Sequence, residues 1–199
     1  MRRDDLAELH FITPIANVAS ILELGILSER RAQKVDHVSV ALAGVQEKRS
    51  RIRVPEGRPL HEYANLYICA RNPMLYRRHG QHRELCVLRV SPKVLHLPDV
   101  VVTDGNAASD YTRFAAAPEG LAIVDSELTF AEWWTSSNQF EQLERSRRKC
   151  AEVLVPEALS PPFIEGAYVS CNDSLAALSV VAPDLPVEVN PHLFFLLGL

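Results

Sequence analysis

Residues 60–76 leave few options for how this part of the chain folds. Their alternation predicts a strand with one polar face (Asn65, Tyr67, Cys69) and one apolar face (Leu66, Ile68), ended by the turn-forming pair Asn72-Pro73. Buried tyrosine and asparagine side chains need polar partners. Tyr63 and Tyr67 are therefore expected to offer a surface to a planar, partly polar ligand such as nicotinamide or a nucleobase. The alternative is a tyrosine-rich sheet whose hydroxyls are satisfied within the protein.

Strands and short helices are interleaved along the chain without a regular βαβ rhythm, which predicts the α+β class. Further strands are expected near residues 9–13, 84–90, 100–103, 151–155, 163–170 and 187–189. Helices are expected near residues 17–24, 46–53, 74–78, 128–134, 138–149 and 172–182. Residues 28–44 are predicted to form a long loop with a helical turn. Thr13 or Asn17 is expected to cap the first helix, Gly25 to end it and Gly166 to mark a β-bulge.

Composition indicates one globular domain covering residues 1–199, because 47% of the residues are hydrophobic and the net charge is only −4. No apolar run approaches the roughly 18–20 residues that span a membrane, and no secretory signal is visible, so a cytoplasmic protein without a membrane partner is expected. The four cysteines lack CxxC spacing. This predicts free thiols and no metal site.

Two basic clusters stand out on this acidic chain. The first holds Lys48, Arg49, Arg51, Arg53 and Arg58, and the second holds Arg145, Arg147, Arg148 and Lys149. Both are compatible with local contact to a phosphate backbone. Solvated helix faces are the alternative interpretation.

Glu152 interrupts the apolar segment of residues 151–155. Alternation places Val153 and Val155 on one face of the strand and Glu152 with Leu154 on the other. A half-buried carboxylate needs a charged or hydroxyl partner, and Arg49 is a possible one. An exposed edge strand is the alternative.

The chain contains no P-loop, no GxGxxG motif and no Gly-x-Ser-x-Gly elbow. These absences remove the commonest phosphate-binding and hydrolase interpretations. An NAD-consuming enzyme outside the Rossmann class remains open.

Several segments taken together resemble the DarT family of DNA ADP-ribosyltransferase toxins. The matches occur in order: residues 10–18, 25–28, 45–49 (Val-Gln-Glu-Lys-Arg), 60–76 and 151–155. Lys48 stands where the family has the first arginine of its pair. Residues 102–111 look more like a sister branch for which guanine is the expected acceptor.

The resemblance implies a compact ADP-ribosyltransferase-like domain with a central split β-sheet flanked by short helices. It implies NAD as substrate and transfer of ADP-ribose to a base in single-stranded DNA, with guanine favoured and thymine possible. The expected biological role is the toxin of a toxin–antitoxin system. The partners would be single-stranded DNA and an antitoxin ADP-ribosyl hydrolase of macrodomain or similar type, and the protein is expected to be a monomer.

Roles carried over from the family fall into three sets. Catalysis is assigned to Glu152 and Arg49. NAD binding is assigned to His10, Phe11, Ile12, Thr13, Ser20, Ser28, Arg49, Tyr63 and Tyr67. DNA binding is assigned to Gln46, Lys48, Arg51, Tyr111, Phe140, Arg145, Arg147 and Arg148. Residues 32–51 are expected to close over NAD, and residues 106–151 to shape the DNA site.

Two alternatives stay open at this point. The same cleft could serve transfer to RNA or protein, or the chain could be a catalytically silent nucleic-acid-binding module that keeps the fold.

Overall fold

The computed structural model describes residues 1–40 and 43–196; residues 41–42 of the predicted loop and residues 197–199 of the predicted domain lie outside the described residues. The described part forms the strands β1 Leu9–Pro14, β2 Ile26–Leu27, β3 Tyr63–Tyr67, β4 Leu85–Val90, β5 Val101–Thr103, β6 Phe114–Ala116, β7 Glu152–Pro156, β8 Ala158–Leu159, β9 Ile164–Val169 and β10 Val187–Val189. The α-helices are α1 Val18–Leu24, α2 Glu29–Ala32, α3 Ala43–Ser50, α4 Pro73–Arg77, α5 Ser126–Phe130, α6 Gln139–Lys149 and α7 Asn172–Val181.

Eight strands form one sheet in the order β10-β9-β4-β1-β3-β7-β5-β6, and β2 pairs with β8 separately. All neighbours in the large sheet are antiparallel except β9 and β10. In the described residues β1 and β3 share a single register pair, His10 with Tyr67. The sheet therefore consists of two halves that meet at one point and separate beyond it, as the resemblance predicted.

The two faces of β3 and β7 match the sequence prediction. Ala64, Leu66, Val153 and Val155 pack into the main hydrophobic core. Tyr67 lies opposite Glu152 in the register, so both side chains lie on the other face of the sheet. Burial of the apolar face fixes this register, because a slip of one residue would expose the core side chains.

Helix ends follow local signals where a capping side chain is present. The Asn72 side chain caps α4 through the backbone nitrogens of Met74 and Leu75, and Asn138 caps α6. Gly25 ends α1 at a φ of 88°, a left-handed conformation that favours glycine. Asn17 begins α1, but its side chain makes no capping bond.

Other element bounds differ from the prediction. The strand predicted within residues 60–76 ends at Tyr67. The helix predicted over residues 128–134 is α5, which begins earlier because Asp125 caps it and which ends at Phe130. Helix α3 covers Ala43–Ser50 rather than residues 46–53. Strands β2, β6 and β8 have only two or three residues each, too few for a detectable period.

The bulge predicted at Gly166 is present. Arg89 pairs with Gly166 and Val90 with Ile164, which leaves Glu165 as the extra residue.

The four cysteines are free, as expected. In the described part of the chain the longest helix, α6, has 11 residues, and none of the helices there could span a bilayer.

Candidate active site

The point where the two half-sheets separate opens into a cleft of about 820 Å³. Its walls include Phe11 to Pro14 of β1 on one side and Tyr63, Asn65 and Tyr67 of β3 on the other. Helices α3, α4 and α6 also border the opening, together with residues 37–40 and 108–111. A cleft of this size falls within the usual range for small-molecule sites, and it holds both apolar walls and polar groups.

Arg49 and Glu152 meet at the floor of this cleft. The Arg49 Nη1 atom lies 3.1 Å from Glu152 Oε2 and 3.3 Å from Oε1, although the two residues are 103 positions apart in the chain. The Glu152 side chain is 1% exposed and that of Arg49 is 8% exposed. Arg49 lines the cleft, whereas the buried Glu152 carboxylate is connected to the cleft through its contact with Arg49. The predicted partnership of these two residues is therefore present as a buried ion pair.

The backbone after β5 holds the carboxylate from the other side. The Ala107 amide donates to Glu152 Oε1 at 3.0 Å. The Thr103 hydroxyl donates to the Gly105 carbonyl and accepts from the Glu152 amide. A side chain at Gly105 would collide with Arg147, since a Cβ there would lie 2.4 Å from Nη1. This tight turn fixes the direction of the Glu152 side chain.

In the described part of the chain, Oε1 of Glu152 has two donors and Oε2 has Arg49 alone. A carboxylate oxygen can accept two hydrogen bonds. Oε2 therefore has room for one more donor, such as a ligand hydroxyl, if Arg49 shifts aside.

Two ionisable groups near this pair stay protonated. Burial, then the nearby Glu152 carboxylate, raises the pKa of the Tyr67 hydroxyl well above its ordinary value. The same two causes raise the pKa of the Cys150 thiol to about 12. Both groups border the cleft as neutral hydrogen-bonding groups, and Cys150 is not a thiolate nucleophile.

Most residues assigned to NAD binding line the cleft: Phe11, Ile12, Thr13, Arg49, Tyr63 and Tyr67. Ser20 lines a smaller adjoining pocket of about 80 Å³. The Ser28 side chain is fully buried at the start of α2 and borders neither space.

His10 is placed differently from the expectation. In the described part of the chain its backbone forms the one register pair between the half-sheets, but its ring bonds to Glu8 and borders neither cavity. Glu8 also accepts from Arg89 and Tyr168. Although burial opposes ionisation, the bonds from His10, Arg89 and Tyr168 lower the pKa of Glu8 to about 2. The His10 side chain thus belongs to a structural network beside the cleft.

The residues assigned to DNA binding divide into two groups. Gln46, Lys48, Arg51, Tyr111 and Arg147 border the cleft, whereas Phe140, Arg145 and Arg148 do not. Phe140 and Tyr111 are strongly exposed. Arg145 pairs with Glu141 one turn away on α6. Lys48 is exposed and has no ion pair within the described residues.

Arg147 and Arg148 are occupied by carboxylates of the protein itself. Arg147 binds Asp104 through Nη1 and Glu144 through Nε and Nη2, and Arg148 binds Glu144 and Asp125. A phosphate contact does not follow from their position. Both arginines join α6 to neighbouring segments instead.

Sequence reasoning missed Thr103, Ala107 and Arg77. The first two contribute a hydroxyl and a backbone amide, and no residue pattern signals a backbone donor. Arg77 on α4 borders the cleft. The sequence does indicate a basic surface there, because residues 71–83 hold four arginines and two histidines but no carboxylate.

Comparisons with known proteins agree with this geometry. The fold is similar to "Thermus sp. 2.9 DarT in complex with ADP-ribosylated ssDNA", with a TM-score of 0.80, 27% identity, and coverage of 95% of this chain and 96% of that one. It is also similar to the same protein "in complex with NAD+", with a TM-score of 0.76, 25% identity, and coverage of 95% and 98%. The split sheet and its likeness to these structures thus place the chain in the fold class of the DNA-modifying ADP-ribosyltransferases.

A family model described as "ssDNA thymidine ADP-ribosyltransferase, DarT" matches residues 10–195, and the chain belongs to this family. It is 35% identical over 197 residues to a "DNA ADP-ribosyl transferase-DNA ADP-ribosyl glycohydrolase fusion protein" of Thermosipho africanus. That match covers 95% of this chain but 50% of the relative, so the chain spans about half the length of the fusion protein. The predicted family and fold class are confirmed.

Proposed function

We propose that the chain transfers the ADP-ribosyl group of NAD+ to a base in single-stranded DNA. The observation that carries this proposal is the Arg49–Glu152 pair at the floor of the cleft between the half-sheets. Relatives of the same fold have been solved with NAD+ and with ADP-ribosylated single-stranded DNA. The cleft volume suits a dinucleotide-sized substrate.

In this proposal Glu152 acts on the nicotinamide ribose. The bond between C1′ of that ribose and the nicotinamide nitrogen breaks, and the electron pair leaves with nicotinamide. Positive charge develops on the ribose, and Oε2 of Glu152 accepts a hydrogen bond from the ribose 2′-OH that strengthens as the charge develops. A base atom then bonds to C1′ and loses its proton to solvent.

Arg49 serves charge stabilisation rather than proton transfer. A guanidinium has no free lone pair with which to take a proton, so it is a poor base. Its contact with Glu152 at 3.1 Å places it beside the reacting carboxylate, which favours this role over a contact with the NAD pyrophosphate. Because Arg49 contacts both carboxylate oxygens of Glu152 and lines the cleft, it orders the site before substrate arrives.

The walls of β1 and β3 hold the nicotinamide. Phe11 and Tyr67 supply ring surfaces, Thr13 supplies a hydroxyl, and the backbone groups of β1 beyond His10 have no strand partner toward β3 in the described residues. Such free backbone groups suit the carboxamide of nicotinamide, which needs one donor and one acceptor.

For the acceptor base, guanine is proposed from the resemblance of residues 102–111 to the sister branch. Thymine is the second candidate, because the description of the matching family model names thymidine. Oligonucleotides that contain a single kind of base distinguish the two.

The family membership supports a proposal for the biological role. We propose a cytoplasmic, monomeric toxin in which residues 1–199 form one catalytic domain and whose modification is removed by an antitoxin ADP-ribosyl hydrolase of macrodomain or similar type. The Thermosipho africanus relative supports this pairing, since its name joins a transferase to a DNA ADP-ribosyl glycohydrolase.

Incubation with labelled NAD+ tests the proposal. Single-stranded DNA, duplex DNA, RNA and bulk protein are offered separately to the wild type and to Glu152→Ala. Label on single-stranded DNA that disappears in Glu152→Ala supports the proposal. Label on RNA or protein alone identifies a different acceptor, and no label on any acceptor supports a silent binding module.

A further inference from the structure

A cluster of aromatic rings lies on the side of α4 that faces away from the cleft. It consists of Tyr76, Trp133, Trp134 and Phe195, called here the aromatic platform. Tyr76 meets Phe195 at 5.0 Å and Trp134 at 5.6 Å between ring centroids, and Trp133 meets Phe195 at 5.8 Å. The rings contact one another edge to face or tilted, which is the stable geometry for aromatic pairs.

Arg71 holds the platform in place from its buried side. This arginine is buried, and its Cζ atom lies 4.3 Å from the centroid of Phe195 and 4.8 Å from that of Trp133. Its nitrogens also donate to the carbonyls of Glu132 and His192. The ring arrangement is therefore fixed in advance, so a ligand that stacks on it would pay little entropy to order the side chains.

The outer edge of the platform is open to solvent. Tyr76 is 41% exposed and Trp133 is 38% exposed, which is unusual for rings of this size. Helix α4 joins the platform to the cleft, because Pro73, Met74 and Arg77 on the same helix border the cleft. The two surfaces thus adjoin each other across one helix.

The charge around the platform is complementary to a phosphate backbone. Residues 71–83 hold four arginines and two histidines and no carboxylate. Arg77 is exposed and has no ion pair within the described residues, and the His79 ring stacks on Tyr76 at 5.3 Å. Glu132, a carboxylate beside the platform, forms an ion pair with Arg71 and a hydrogen bond with His192.

We propose that the aromatic platform is a stacking site for bases of the DNA strand next to the base that enters the cleft. This inference rests on the proposed function. Exposed rings combined with a positively charged side chain such as Arg77 are how proteins bind single strands without reading their sequence. Arg77 would contact the phosphate between the base in the cleft and the bases stacked on Tyr76 and Trp133.

The fluorescence of the platform itself gives a test that does not need turnover. The chain has two tryptophans, and both belong to the platform. In the double variant Glu152→Gln, Trp134→Phe, Trp133 is the remaining reporter. Titration with a single-stranded oligonucleotide of about twelve nucleotides should quench it saturably, whereas one of about three nucleotides should quench it weakly. DNA that binds, as shown by anisotropy of a labelled oligonucleotide, without quenching Trp133 overturns the proposal.

Affinity measurements give the second test. Trp133→Ala and Tyr76→Ala should each weaken binding of the longer oligonucleotide roughly tenfold, since each removes a stacking surface. Trp133→Phe keeps a ring and should stay within about threefold of the wild type. Val180→Ala is the matched control, because Val180 is an 84% exposed apolar residue on α7 outside the platform and cleft. Equal affinity of Trp133→Ala and wild type, or equal loss in Val180→Ala, contradicts the proposal.

Failure of this inference is distinguishable from failure of the proposed function. Transfer to DNA by the wild type without any Trp133 response rejects the platform and leaves the function. Trp133 quenching without transfer to DNA supports the platform and counts against the function. If Trp133→Ala does not fold, quenching in the double variant and the affinity of Tyr76→Ala still decide the question.

Discussion

Arg49 and Arg147 are two buried arginines of the same molecule that have different roles. Each side chain is 8% exposed, and each binds a carboxylate that is almost fully buried, Glu152 in one case and Asp104 in the other. Arg147 uses all three of its guanidinium nitrogens on Asp104 and Glu144. Both arginines border the cleft, but among the described residues Arg49 uses Nη1 alone.

The difference indicates that Arg147 supports the fold, whereas Arg49 can take part in the chemistry of the cleft. A guanidinium with every nitrogen satisfied by the protein holds segments together, whereas one with spare donors at a cleft can respond to a ligand. The Arg147 carbonyl also accepts from Asn106, next to the Ala107 amide that holds Glu152. Arg147 thus supports the turn that aims the carboxylate with which Arg49 is paired.

The largest effect is expected from Glu152→Gln. Glutamine keeps an acceptor for the Ala107 amide but loses the charge that stabilises the developing positive charge, so the turnover rate should fall about a thousandfold. NAD+ affinity should stay within about tenfold, because the lost interaction belongs to the transition state. Single-turnover rates and equilibrium binding of NAD+ check this. Parallel loss of binding and turnover would reject the assigned role.

Matched lysine substitutions test the comparison directly. Arg49→Lys should lower the transfer rate by roughly tenfold to a hundredfold with little change in stability, since an ammonium retains the charge but not the planar donor geometry. Arg147→Lys should lower the free energy of unfolding by about 2 kcal/mol, because one ammonium cannot satisfy both Asp104 and Glu144. Denaturant unfolding and transfer assays on both variants check this. The reverse pattern would break the distinction between the two arginines.

A smaller effect is expected at the exposed cations. Lys48→Ala should weaken single-stranded DNA binding a few-fold, with a salt slope reduced by about one, if this unpaired side chain contacts a phosphate. Arg145→Ala is the matched control, because Arg145 is already paired with Glu141 outside the cleft. Binding isotherms at several salt concentrations measure both. Equal salt slopes in Lys48→Ala and the wild type would remove Lys48 from the DNA site.

The smallest effect concerns acid stability. The hydrogen bonds from Arg147 lower the pKa of Glu144 from 4.5 to about 2. Burial opposes this shift, and the hydrogen bond from Arg148 adds to it. A carboxylate with a lowered pKa stabilises the fold above its ordinary pKa and loses that contribution as the pH falls toward its folded value. The Tm difference between wild type and Glu144→Gln should therefore shrink between pH 4.5 and about 2. A constant difference over this range would show that the ion pairs of α6 add nothing measurable.

How far the sequence predicts the site depends on the kind of signal. Glu152 is visible because a carboxylate interrupts an apolar strand, and the alternation in β3 and β7 correctly assigns the faces. Arg49 is visible through the family resemblance. Nothing in the sequence signals the Ala107 amide, since a backbone donor is common to nearly every residue.

Runs of charged residues in the sequence likewise do not show which side chains are paired in the fold. Arg147 lies among cations in the sequence, yet its partner Asp104 is 43 positions away, so its neutralisation depends on the tertiary fold. The aromatic platform was missed in a similar way. Trp133 and Trp134 were predicted to extend a helix, but α5 ends at Phe130 and releases them to pack against Tyr76.

The one-point junction of β1 and β3 has a consequence for solubility. A strand whose amides and carbonyls lack a neighbour can recruit a strand from another molecule, which is a common route to aggregation. Within the described residues, the stretches of β1 and β3 that lack a partner toward each other lie at the cleft inside the sheet rather than on its outer rim. Backbone groups thus remain free for a small ligand while a second polypeptide is kept from reaching them.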